Sequence, residues 1–245
     1  LLPVTEAGKV LSIIDKIDNI VATFSRGLIP TGSQDPYALR RQTIGILNIL
    51  LNSEWNIPLQ PIFVESMNLL NVPLNKQEEL LQQVEDFFIL RLKNIYLDRE
   101  VPHHILDLLL SNRELTVADV DGYVKALQAN RIDENVELVQ AYTRMYNLVK
   151  DVTFIGVNES LLTVKAEQDL FAVATIAAQD SLAAWLDSDY DTIVALPNTL
   201  VPTINKFFEG VMVMDKDEAI KNNRLQLLRL AYNVMAIIGD ISALK

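Results

Sequence analysis

The sequence contains no cysteine among its 245 residues, so disulfides and thiolate-bound metals are excluded within it. Histidine is nearly as scarce: the two present, His103 and His104, are adjacent. Neighbours at i and i+1 leave a helix on different faces, so the pair does not make a shared metal site. With no thiol, no third imidazole and no G-x-S-x-G serine, nucleophilic catalysis has no assembled machinery. Glycine and proline are few, at 8 and 9, while half the residues are hydrophobic, which argues against disorder and for a regular, well-filled core. No apolar run approaches the roughly 18 residues that a membrane span needs. The opening LLPVTEAGKV has neither an initiator Met nor a basic stretch ahead of an apolar one. A soluble chain that is a piece of something longer is the expectation.

Basic charge is also in short supply, with 21 Lys and Arg against 32 Asp and Glu and a net charge of −11. The imbalance is even: 12 basic against 17 acidic residues through Asp133, and 9 against 15 from Glu134 onward. Coating DNA or RNA through bulk electrostatics is excluded by that sign. Any RNA contact must be local and shaped.

What the sequence does have is helical periodicity. After Thr5, a capping residue, Val10, Ile13, Ile14, Ile17, Val21 and Phe24 form a stripe that stops at Gly27 and Pro30. Asp35 followed by Pro36 predicts the start of the next helix, which carries Ile44, Leu47, Leu50 and Leu51. In this elbow Gly32 and Ser33 could cradle a phosphate and Arg40 and Arg41 could pair with one, although the P-loop pattern is absent and a structural use is favoured. A shorter helix lies between Asn56 and Pro73. Asn75 and Glu78 have capping-box spacing ahead of a stripe from Leu80 to Ile95, in which Arg91 is embedded.

Thr116 opens a helix to Ala129, and the polar run Asn130 to Asn135 is the expected boundary between two helical domains, 1–133 and 134–245. An alanine-rich helix from Val164 to Trp185 is expected to bury Phe171, Ala174, Ala178 and Leu182. The acidic run of Asp180, Asp187, Asp189 and Asp191 reads as a solvated helix end. A helix from Thr192 to Asn205 is expected to be broken by Pro197 and Pro202. Val211–Met214 and Val152–Ile155 are too short and isolated to build a sheet. The fold class is all-α, in two packed helical domains.

The stretch from Phe207 to Leu230 is the most organised. Asp215 and Glu218 have capping-box spacing, so a helix is expected to begin there. At about 100° per residue, Ile220, Leu227, Ala231, Val234 and Ile238 share a face with Arg224, while Arg229 points away. A guanidinium in an apolar stripe needs a partner: a carboxylate such as Asp215 or Asp217, or a ligand.

The strings FFEGVMVM, DEA and NRLQLL, together with PTGS-DP-ALRR after a DK-D helix, resemble the C-terminal part of the bacterial glycine–tRNA ligase β subunit. AYTRMYNLVKDV, which contains Arg144, resembles the opening helix of that family's helical anticodon-binding domain. The resemblance implies recognition of tRNA(Gly), including its anticodon, within a cytoplasmic two-α, two-β ligase. It implies that ATP and Mg serve the whole enzyme, that glycylation belongs to the α subunit, and that this stretch binds no cofactor of its own. Candidate RNA contacts are Asp215, Lys221, Asn223, Arg224 and Arg144 for base edges and phosphates, Phe207 and Phe208 for stacking, and Arg40 and Arg41. VLSIIDKIDNIV resembles the last metal-ligand helix of HD-type domains, with Asp15 at the matching position, although a solvated face is the plainer reading. An HD-type phosphohydrolase fragment and a helical protein-interaction scaffold stand as alternatives.

Overall fold

The computed structural model describes residues 2–32, 34–53 and 55–244. Among them ten α-helices form and no strand does; Thr31 and Gln34 make an isolated antiparallel bridge. The all-α expectation holds. Two compact units result, one of Leu1–Leu106 with Asn112–Asp121, the other of Asp107–Ser111 with Gly122–Lys245.

In the first unit α1 spans Glu6–Phe24. Thr5 Oγ1 accepts the Gly8 N–H at 3.1 Å, as a helix-capping hydroxyl does. At the far end Gly27 takes a φ of +74°, a left-handed turn that a side chain would oppose. The buried stripe is Ile13, Ile17, Ile20, Val21 and Phe24; Val10 and Ile14, expected inside, are open to solvent. Next, α2 begins at Leu39 and not at Pro36, because Ala38 adopts a left-handed conformation that interrupts the helix path. The Asp35 carboxylate still serves the helix start, taking the Leu39 and Arg40 N–H groups at 2.8 and 3.0 Å. After α3 (Gln60–Leu69), α4 (Leu74–Leu97) follows directly on Pro73, so Asn75 sits inside its first turn instead of capping it. Ring contacts join the helices: Phe24 meets Phe87 edge-on at 5.1 Å, and Phe63 meets Phe88 in a tilted arrangement at 4.9 Å.

Both α5 (His103–Leu110) and α6 (Val117–Asn130) contribute residues to the two units. The second unit is then built from α7 (Val136–Val149), α8 (Lys165–Leu186), α9 (Tyr190–Gly210) and α10 (Glu218–Met235). Small residues on α8, Ala174, Ala177, Ser181 and Ala184, let α9 approach closely. Leu182, expected on that face, points out at 62 % exposure, since an alanine-rich helix has little hydrophobic contrast to set its phase.

The expected break in α9 does not occur: the helix runs through Pro197 and Pro202. Each proline costs roughly 3 kcal/mol in a helix interior. Burial of Ile193, Val194, Leu200, Val201, Ile204 and Phe207 offsets it, at roughly 1.5–3 kcal/mol for each large side chain. Packing therefore decides this helix, not propensity.

Candidate nucleic-acid interface

The geometry around α10 starts from its cap. Asp217, two residues beyond the expected cap at Asp215, accepts the Ala219 and Ile220 N–H groups at 2.8 and 3.3 Å. Asp215 is thereby released for another role. Its carboxylate takes the Asp217 N–H at 3.0 Å and the Arg224 guanidinium at 2.6 Å. These contacts, the backbone bond first, hold its pKa below the usual carboxylate range.

Arg224 is buried and makes three bonds: Nε to Glu167 Oε1 at 2.6 Å, and Nη1 to Asp215 and to the Met212 carbonyl, the last at 2.9 Å. Burial alone would lower its pKa, but the bonds to Glu167 and Asp215 outweigh that and raise it. Glu167 is fully buried, and its other oxygen accepts the Val164 N–H at 2.9 Å. The network thus joins α10, the start of α8 and the segment between α9 and α10.

The neighbouring polar residues of α10 do similar work. Asn223 accepts the Asn158 N–H at 2.7 Å and donates to the Asn158 carbonyl at 3.0 Å. Gln226 pins Ile155 and Thr153 in the same two-sided way. Arg229, expected to face away, instead donates to the Val149 carbonyl at 3.1 Å. Lys221 is paired with Glu218 one turn back.

Three sequence-derived contact candidates are therefore corrected. Phe207 has no exposed surface, and Asn223 and Arg224 are buried with their polar groups engaged, so none can meet a nucleotide. Asp215 and Lys221 keep some exposure but are held by Arg224 and Glu218.

Arg144 and Phe208 are brought together. Arg144 is exposed on α7, and its Cζ lies 3.8 Å from the Phe208 ring centre. Phe207 turns inward and Phe208 outward, their rings edge-on at 5.6 Å. The pair lines an open groove of about 480 Å³ with Asn147, Met212 and Met214. Met212 and Met214 are 76 % and 55 % exposed. The Met212 carbonyl that holds Arg224 lies in this wall, so the buried network fixes the groove's edge. Asn147 was missed from the sequence; its spacing of three from Arg144 on one helix was the available signal.

In the first unit Arg40 is used structurally, its Nη2 donating to the Gly32 carbonyl at 2.5 Å. Burial, and next the Arg40 charge, lower the pKa of Arg91, whose guanidinium lies 3.5 Å from the Phe87 ring centre. Arg41 is exposed, and Ser33 lies outside the described residues. Asp15 is exposed on α1, and among the described residues no group of three His, Asp or Glu side chains converges to hold a metal. The HD-type metal alternative has no ligand set there.

Comparison with known proteins gives two separate matches. Residues 1–111 match the family model of the glycyl-tRNA synthetase beta subunit, and residues 138–241 that of the DALR anticodon binding domain. Nearly the whole chain matches glycine–tRNA ligase β subunits. It is 37 % identical over 248 residues to the glycine–tRNA ligase beta subunit of Clostridioides difficile, covering 99 % of this chain and 35 % of that protein. The corresponding proteins of Lactobacillus helveticus and Geotalea daltonii are 35 % and 34 % identical, with 99 % of this chain and 35 % and 36 % of theirs covered. The chain thus spans about a third of the length of these relatives. Arg144, Phe208 and the Arg224 network all fall within the anticodon-binding match.

Proposed function

We propose that this chain is the tRNA-binding part of a glycine–tRNA ligase β subunit, recognising tRNA(Gly) through its anticodon. ATP-dependent glycylation is carried out by an α subunit in a two-α, two-β assembly, and the chain binds neither ATP nor Mg itself. The observation that carries the reading is the Arg144–Phe208 pair at the mouth of the groove, inside the region that matches anticodon-binding domains. Its cation already lies over an aromatic ring, 3.8 Å from the ring centre, and the exposed guanidinium is a surface on which an unstacked base can lie.

Glycine codons begin with GG, so glycine anticodons end in CC. Cytosine shows an amino donor beside acceptor atoms, and the amide of Asn147 can meet both kinds. The thioethers of Met212 and Met214 supply adaptable apolar contact for the base planes. A local site of this kind accommodates an acidic chain, because selectivity rests on stacking and edge contacts more than on bulk charge. Arg41, exposed in the first unit, is free to meet a phosphate.

Binding of a glycine anticodon stem-loop, compared with a variant whose CC is changed to GG, tests the reading. The CC form is expected to bind at least about tenfold tighter, about 1.4 kcal/mol. Equal affinities would remove base recognition from this chain.

A further inference from the structure

The outward face of α8 is unused by the RNA groove. Its inward side is the Leu170, Ala174, Ala177, Ser181 and Ala184 stripe. On the other side Ile176, Leu182 and Leu186 stand 57, 62 and 76 % exposed, with Trp185 beside them at 41 %. At helical spacing, exposed Ala172 and Ala183 fall between them with exposed Gln179 among them, which makes a mostly apolar strip interrupted by one amide. Soluble proteins rarely leave such a strip uncovered without a use for it.

Charge tells what kind of occupant fits. Asp169, Asp180 and Asp187 follow one another at intervals of three turns and two turns, along a single edge of the strip. Asp169 is paired with Lys165 at 2.6 Å. Asp180 and Asp187 are exposed, and among the described residues neither has a cationic partner. Nucleic acid is disfavoured there by like charge. A second copy is disfavoured too, since it brings a net charge of −11 to an already acidic edge. The strip runs along the exposed side of a 22-residue helix, which matches the side of another helix.

We propose that this face docks an α-helix of a separate protein partner, one with an apolar stripe bordered by Lys or Arg on the side that meets Asp180 and Asp187. Leu182 and Leu186 form the apolar centre, Trp185 packs at the border, and the two carboxylates set the partner's direction and register.

The test uses the tryptophan at the border. A Trp55→Phe variant leaves Trp185 as the sole tryptophan. Its fluorescence is followed against a synthetic 21-residue amphipathic helix with leucines at alternating three and four spacing and lysines along one edge, and against the same peptide with glutamates. A saturable blue shift is expected, at least tenfold tighter for the lysine peptide. It is expected to vanish in Leu182→Ser/Leu186→Ser with helical content unchanged, and to switch preference toward the glutamate peptide in Asp180→Lys/Asp187→Lys. No binding, equal binding of both peptides, or binding that survives the leucine changes would overturn the proposal. So would reversible self-association in sedimentation that Leu186→Ser abolishes, because the occupant would then be a second copy.

Discussion

Arg224 Nε lies 2.6 Å from Oε1 of Glu167, 57 residues away in sequence, and Glu167 has no exposed surface. A buried pair of this kind is weak evidence of net stabilisation, but removal of either partner strands a charge in the interior. Arg224→Ala and Glu167→Ala are each expected to cost about 3–5 kcal/mol in urea unfolding at neutral pH. The double variant Arg224→Met/Glu167→Met is expected to cost far less than the two single losses added together. A single-variant loss under about 1 kcal/mol would show that the network does not hold this unit together.

Acid sensitivity follows from Asp215. Its folded pKa lies below the unfolded value of 3.8, so the unfolded chain takes up the proton first as pH falls. The contribution is complete above about pH 4 and is lost as pH drops through the folded pKa. Asp215→Asn is expected to flatten this part of the stability profile below about pH 4, measured as denaturation midpoints from pH 2 to 7. An unchanged profile would show that the carboxylate is not held as the geometry indicates.

Variants at the groove separate binding from folding. Arg144→Ala and Phe208→Ala are each expected to weaken anticodon stem-loop binding by about tenfold or more, in line with about 1–3 kcal/mol per stacked base. The pair is expected to be less than additive, because each change destroys the same platform. Met212→Ser tests the wall in the same titration. Preserved affinity in all three would place RNA recognition elsewhere.

Gly122 offers a test of packing in the second unit. A Cβ added there would fall 2.2 Å from the Tyr190 ring, far inside contact distance. Gly122→Ala gains helix propensity, yet it is expected to cost about 1–3 kcal/mol from overpacking, read as a lower melting temperature. A gain in stability would show that the Tyr190 ring moves aside freely.

Much of the architecture was legible from the sequence, and the exceptions have physical causes. Stripe periodicity located the helices, and Thr5 marked the start of α1 because a hydroxyl three residues ahead of a free N–H is local chemistry. Arg224 was recognisable as a side chain in need of a carboxylate, and Asp215 as one that could serve, since both lie on one short stretch. Glu167 was not, because nothing local ties residues so far apart. The adjacent Phe207 and Phe208 look equivalent in sequence; only the phase of α9 against its neighbours turns one inward and leaves the other beside Arg144. Pro197 and Pro202 misled for a similar reason, as their effect was overridden by contacts that a linear pattern does not show.

The bond from Arg224 to the Met212 carbonyl has a thermodynamic corollary. A loop anchored from beneath before any nucleotide arrives loses little freedom on complex formation. Calorimetry would then register association with a small ordering penalty, and affinity would be governed by how well the incoming loop fits a rim already set in place.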